Sequence, residues 1–151
     1  PGLREAIRGY LHSARGVNCT ADQIIIGAGS EYLMMLLTQI LGTSRTIAME
    51  NPTYRQAYRV FESLGCQMKP VEMDAHGMNV RLLEESGADI AYVMPSHQYP
   101  LGIVMPIKRR LELLKWAAEK GILTEAQLAE PGKTVTRQEL LQSLYRLWQH
   151  I

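Results

Sequence analysis

Two stretches decide the fold: Glu50-Asn51-Pro52-Thr53-Tyr54 and Pro95-Ser96-His97-Gln98-Tyr99-Pro100. Each follows an apolar run typical of a buried β-strand, residues 45–49 before the first stretch and 89–94 before the second. Strands that alternate with helices predict right-handed crossovers and a mainly parallel sheet. In such a sheet ligands bind outside the carboxyl ends of the strands. The loops that follow these two strands are therefore the predicted functional region.

The rest of the chain continues this alternation of helix and strand signals. Apolar residues at a helical period predict helices, and short apolar runs between turn residues predict strands. The predicted helices are residues 3–15, 31–41, 55–64, 80–86 and 106–120, and the predicted strands are 23–26, 45–49, 66–73 and 89–94. Helix 31–41 is apolar on nearly every side, which predicts that it is buried. We therefore expect an α/β fold of three αβα layers around a mainly parallel sheet.

The composition is that of an ordinary water-soluble globular domain. The residues are 46% hydrophobic and 21% charged, and a length of 151 residues is enough for one domain with its own core. The net charge of +1 gives no reason to expect contact with nucleic acid or an acidic membrane. The longest apolar run is too short to cross a bilayer, and Cys19 and Cys66 lack metal-ligand spacing. We therefore expect a cytoplasmic protein with reduced thiols, no bound metal and no membrane contact.

A glycine-containing turn, Gly27-Ala28-Gly29-Ser30, precedes the apolar helix. Glycines let backbone N–H groups converge, and the start of a helix carries a partial positive charge, so a phosphate group can bind there. A plain strand-to-helix turn uses the same residue types, so both interpretations stay open.

The aromatic and polar residues of the two loops are candidates for ligand contacts. The Tyr54 ring can stack on a flat heteroaromatic ligand, a contact of roughly 1 kcal/mol. The alternative is a tyrosine half-buried against its own helix. The side chains of His97, Gln98 and Tyr99 can bond to a hydroxyl or carboxylate of a ligand, or they can satisfy the backbone of their own loop.

The remaining polar residues give weaker signals. We interpret Lys108-Arg109-Arg110 as a solvated helix face rather than an anion site. The chain has no nucleophile elbow, zinc-ligand spacing or Walker loop, so the pattern predicts no catalytic residue.

The order and spacing of the motifs resemble a known family. Residues 1 to about 123 resemble the first half of the large domain of class I/II aminotransferases. They are most similar to the MocR subgroup of GntR-type bacterial regulators, in which an aminotransferase-like domain follows a winged-helix DNA-binding domain. The strings that carry the resemblance are Leu3-Arg4-Glu5-Ala6-Ile7, Arg15-Gly16-Val17, Gln23-Ile24-Ile25-Ile26-Gly27, Glu50-Asn51-Pro52-Thr53-Tyr54, Pro95-Ser96-His97-Gln98-Tyr99-Pro100 and Arg109-Arg110-Leu111.

This resemblance implies a fold-type-I transferase domain and pyridoxal phosphate as cofactor. It puts Gly29, Ser30 and Glu31 in the phosphate-cradling turn and Tyr54 at the ring-stacking position. By the same resemblance, Gln98 and Tyr99 line the pocket near the ring of the cofactor.

The resemblance also points to parts that this sequence lacks. Catalysis in the family depends on an imine between the cofactor and a lysine, and the family's lysine motif does not occur here. The chain also opens on Pro1 rather than methionine, which we take as the sign of a fragment or a processed chain. We therefore expect a truncated domain that binds pyridoxal phosphate at most non-covalently and does not transaminate by itself.

The tail differs in character from residues 1–123. Thr136-Arg137-Gln138-Glu139 is a capping box that predicts an amphipathic helix, and we expect residues 124–151 to form a loop followed by that helix. Residues 116–148 resemble part of an S-layer homology repeat, a unit that attaches exported proteins to cell-wall polysaccharide. The alternative is a helix that covers an exposed sheet edge.

Two functions and one kind of partner follow as expectations. The first function is that of a truncated aminotransferase-like domain from a MocR-type regulator. The alternative is a non-catalytic interaction module whose C-terminal helix binds cell wall or protein. A truncated sheet leaves an open edge, so we also expect a homodimer or another partner that covers this edge.

Overall fold

The computed structural model describes residues 2–121, which divide into two compact units. One unit contains residues 2–27 together with 117–121, and the other contains residues 28–116. The sheet and all six predicted site residues belong to the second unit. The predicted domain boundary at 123/124 and the predicted C-terminal helix lie outside the described residues.

The first unit contains helix α1, Gly2–Arg15, and a 3-10 turn, Ala21–Gln23. The prediction of a helix over 3–15 is confirmed, and Gly16 follows its end with a φ of +64°. The predicted strand 23–26 is wrong, because residues 24–27 have no regular structure. A β-branched run becomes a strand only beside a partner strand, and no described residue of this unit provides one.

The second unit alternates helices and strands as predicted. Its helices are α2 Ser30–Leu41, α3 Arg55–Ser63, α4 Val80–Glu85 and α5 Ile107–Glu119, of which residues 107–116 belong to this unit. Its strands are β1 Thr46–Asn51, β2 Gln67–Asp74, β3 Gly77–Met78 and β4 Ile90–Tyr92.

The sheet has the strand order β3-β2-β1-β4. Strand β1 pairs in parallel with both neighbours, with Ile47 beside Met68 of β2 and Met49 beside Tyr92 of β4. The short strand β3 returns antiparallel to β2 after a turn at residues 75–76. The prediction of an α/β fold with a mainly parallel sheet is confirmed.

Strand β1 is the centre of the core and is buried on both faces. Ile47 and Met49 pack in one cluster with Phe61 of α3 and Met34 of α2. Residues on a strand alternate between faces, so Ala48 and Glu50 point to the opposite face, where both are also buried. Burial on both faces holds β1 in the sheet, and the loop that begins at Pro52 leaves from its carboxyl end.

Helix α2 is less buried than its composition predicts. Met34 and Thr38 face the core, and the Thr38 hydroxyl donates to the Met34 carbonyl oxygen at 2.9 Å. Tyr32, Leu37 and Ile40 are 41–55% exposed. The prediction of a fully buried helix is therefore wrong for the described residues, because packing covers only one side of α2.

Candidate functional site

The carboxyl ends of β1 and β4 bring the two loops together. Because these strands are adjacent and parallel, the loops that follow them leave the sheet at the same edge. The rings of Tyr54 and Tyr99 lie 6.2 Å apart between centroids, with an interplanar angle of 81°. This edge-to-face arrangement is one that aromatic pairs prefer. Two of the predicted site residues thus form one aromatic pair, and both rings remain accessible to solvent.

Gln98 joins the two loops through its side-chain amide. Its Nε2 donates to the carbonyl oxygens of Pro52 at 2.9 Å and Tyr99 at 2.8 Å, and its Oε1 accepts from the Leu101 amide at 3.1 Å. The residue is only 2% exposed. The sequence left two roles open for Gln98, contact with a ligand or hydrogen bonding to the backbone of the loop. These bonds favour the second role. Direct contact between Gln98 and a cofactor ring stays a prediction.

The turn at Gly29 lies beside the Tyr54 segment. Gly29 is the N-cap of α2, with a φ of +98°, and no side chain caps the helix there. Glu31 in the first turn accepts a 2.9 Å hydrogen bond from Gln56 Nε2 of α3. This bond connects the residue after Ser30 with the second residue after Tyr54. The structure therefore brings all three predicted segments of the pocket to the same edge of the sheet.

The uncapped start of α2 fits a phosphate group. Its N-cap residue, Gly29, makes no side-chain cap bond, and the start of the helix carries the positive end of the helix dipole. Around Gly29 a Cβ atom would meet nothing within 4 Å, so there is open space beside the backbone. The negative charge of the Glu31 carboxylate disfavours an anion at this position. One of its oxygens, however, accepts the hydrogen bond from Gln56 of α3.

Glu50 is a buried carboxyl that sequence reasoning missed. It is 1% exposed, its Oε2 accepts from the Met94 amide at 3.3 Å, and its Oε1 has no hydrogen-bond partner among the described residues. Burial raises the pKa of this carboxyl, and the Met94 amide and the Gln98 side chain offset part of the rise. The sequence feature that could have indicated this burial is the position of Glu50 directly after the apolar run Ile47-Ala48-Met49.

The interpretation of Arg109 and Arg110 as a solvated helix face is wrong. The Arg109 side chain is 13% exposed and binds both carboxylate oxygens of Asp74, at 3.2 and 2.8 Å. It also donates to the Met78 carbonyl oxygen at 2.6 Å and to Glu112 at 2.9 Å. Arg110 donates to two carbonyl oxygens, of Met105 at 2.9 Å and Pro95 at 3.0 Å. A helical pattern in the sequence does not show which loops pack against the helix. The contacts of Arg109 and Arg110 were therefore not predicted.

The described lysines are not part of the three segments of the candidate site. They are Lys69 on β2, Lys108 and Lys115 on α5, and Lys120 after α5. In residues 2–121 no three His, Cys, Asp or Glu side chains are grouped to hold a metal ion. None of the helices described in this range is long and apolar enough to span a membrane.

Comparison with known proteins identifies relatives of two kinds. A sequence model of the family described as aminotransferase class I and II matches residues 1–124. The HTH-type transcriptional regulator YdeL of Bacillus subtilis is 41% identical over 117 residues, 78% of this chain and 25% of the relative. The HTH-type pyridoxine biosynthesis transcriptional regulator PdxR of Corynebacterium glutamicum is 34% identical over 124 residues, 82% of this chain and 27% of the relative. The chain spans about a quarter of the length of these relatives.

A solved aminotransferase shares the fold. An archaeal alanine:glyoxylate aminotransferase superposes with a TM-score of 0.70 at 30% identity, over 78% of this chain and 31% of the other. The predicted resemblance to aminotransferases and to MocR-type regulators is confirmed. The S-layer resemblance of the tail finds no support in these comparisons, and the tail lies outside the described residues.

Proposed function

Because the chain belongs to the family of class I and II aminotransferases, we propose that it forms part of a pyridoxal-phosphate pocket in a MocR-type transcriptional regulator. The observation that carries this proposal is that three segments meet at one end of the sheet. They are the start of α2, the loop after β1 and the loop after β4. The Glu31–Gln56 bond joins the first two, and the Tyr54–Tyr99 pair joins the second and third.

Each segment has one role in binding the cofactor. The amides at the start of α2 bind the phosphate, and the Tyr54 ring stacks on the pyridine ring. Tyr99 borders the ring from the second loop. When bound, pyridoxal phosphate supplies an electron sink for amino-group chemistry. PdxR is named as a regulator of pyridoxine biosynthesis, which supports a vitamin B6 compound as ligand of the present chain.

We assign the chain to a regulator rather than to an enzyme. The two regulators are 41% and 34% identical to it, against 30% for the aminotransferase structure. The described lysines lie on β2 and on or just after α5 rather than on the three segments of the pocket. We infer that binding through these segments is non-covalent and that this chain alone does not transaminate. A cytoplasmic location goes with such a regulator.

The outer edge of β4 is the proposed surface for a partner. Strand β4 ends the described sheet and pairs there with no described strand on its other side. Open strand edges pair readily with another strand. We expect sedimentation to show a homodimer or larger species, and a monomer at all concentrations would contradict a homodimer through this edge.

Titration with pyridoxal phosphate tests the cofactor assignment. We expect saturable binding by calorimetry, about fivefold weaker in Tyr54→Ala because a stacking contact of roughly 1 kcal/mol is lost. The control is Tyr10→Ala, which removes an exposed tyrosine of α1 and leaves the affinity unchanged. Absence of binding would overturn the cofactor assignment. A lysine adduct trapped by borohydride would overturn the non-covalent mode.

A further inference from the structure

We propose that Arg110 is a positioning residue of the same site. Its guanidinium fixes the base of the loop 95–105, so that this loop presents the Tyr99 ring to Tyr54. The role of this geometry in binding pyridoxal phosphate rests on the proposed function. The fixing of the loop by Arg110 does not.

The base of the loop is closed by one guanidinium group and one backbone bond. Arg110 Nε donates to the Met105 carbonyl oxygen at 2.9 Å, and Arg110 Nη2 donates to the Pro95 carbonyl oxygen at 3.0 Å. The Met105 amide also donates to the Pro95 carbonyl oxygen, at 2.8 Å. Arg110 therefore bridges the first and last residues of the loop. Hydrogen bonds from a charged donor are stronger than those between neutral groups.

The tip of the loop is held by Gln98. Its backbone amide donates to the Ile103 carbonyl oxygen at 3.1 Å, and its carbonyl oxygen accepts from the Gly102 amide at 2.6 Å. Its side chain bonds to Pro52 in the other loop, as described above. Base and tip together determine where residue 99 lies.

Packing of side chains contributes little to the loop between these two points. Tyr99, Leu101 and Val104 are 55–61% exposed, although Met105 at the base is buried. Because few apolar contacts hold the outer part of the loop, its hydrogen bonds decide its conformation. The planar fork of arginine reaches both carbonyl oxygens at fixed geometry, whereas lysine offers a single charged centre on a flexible stem.

Hydrogen exchange of the full chain tests this role. In Arg110→Ala we expect the amides of Gln98, Gly102 and Met105 to exchange roughly 10- to 100-fold faster, because the strong bonds at the base are lost. Arg110→Lys should recover part of this protection. The amides of the β1–β2 pairing should keep their wild-type rates in both variants.

The matched control is Arg81→Ala, which removes an exposed arginine of α4 and should leave loop exchange unchanged. Unchanged protection of the loop in Arg110→Ala would overturn the proposal. Equal acceleration in β1 and β2 would also overturn it, because the effect would then be global. Failure of wild-type chain to bind pyridoxal phosphate would contradict the proposed function alone. If wild-type chain binds it, we expect weaker binding in Arg110→Ala than in Arg81→Ala.

Discussion

Replacement of Arg109 by methionine is expected to lower the free energy of unfolding by about 1–3 kcal/mol, the range for leaving a buried polar group unpaired, because Arg109 is 13% exposed while its partner Asp74 is 38% exposed. Arg109 connects α5 to the β2–β3 hairpin through Asp74 and the Met78 carbonyl oxygen. Methionine keeps much of the apolar stem but provides no donor. The change therefore leaves the Met78 carbonyl and the Asp74 carboxylate without their described bonds from Arg109.

Urea unfolding measures this loss, with Arg81→Met as the control. The Arg81–Glu85 pair lies within helix α4, its side chains are 74% and 56% exposed, and exposed pairs contribute about 0–1 kcal/mol. Equal losses in the two variants would show that Arg109 is no more important than a surface arginine.

The Asp74 carboxyl adds a pH signature to the same experiment. The hydrogen bond from Arg109 is the largest of the effects that hold the pKa of this carboxyl below its usual 3.8. The stability that it contributes is therefore present above pH 3.8 and is lost as pH falls through the lowered pKa. We expect this acid-side loss to be smaller in Arg109→Met, in which the His76 amide still bonds to Asp74.

Replacement of Glu50 by glutamine is expected to flatten the pH dependence of stability above pH 4.5. Burial raises the pKa of this carboxyl from its usual 4.5, so Glu50 favours the folded state at low pH. That contribution is complete below pH 4.5 and is lost as pH rises through the raised pKa. Glutamine has nearly the same shape and does not ionise.

We expect the free energies of unfolding of Glu50→Gln and wild type to diverge progressively as pH rises above 4.5, with wild type losing stability relative to the variant. The control is Glu84→Gln, a substitution at an exposed position of α4 that should follow the wild-type curve. Parallel curves for Glu50→Gln and wild type would show that Glu50 does not titrate in this range.

Periodicity predicted most of the second unit correctly. Helices α3 and α5 and strands β1, β2 and β4 were expected within a few residues of their observed bounds, because each has a clear apolar period or run. The strand expected at 23–26 had the composition of a strand but lacked a described partner. Local propensity reports on the residue itself, whereas a strand also depends on its neighbour.

The site was predictable where topology alone decides it. Tyr54 and Tyr99 follow adjacent parallel strands, so their meeting at one edge could be expected. The contacts of Gln98 and Arg110 could not, because their partners are carbonyl oxygens whose directions depend on the course of each loop. Glu50 was missed for a similar reason, since its burial depends on what covers the second face of β1.

The exposed stripe of α2 affects how folding of this protein should be monitored. Tyr32, Leu37 and Ile40 present apolar surface to water although α2 is fully formed. Dyes such as ANS bind exposed apolar surface and are commonly used to detect molten-globule states. Native protein should therefore increase ANS fluorescence, and dye binding alone would misreport well-folded samples as partly unfolded.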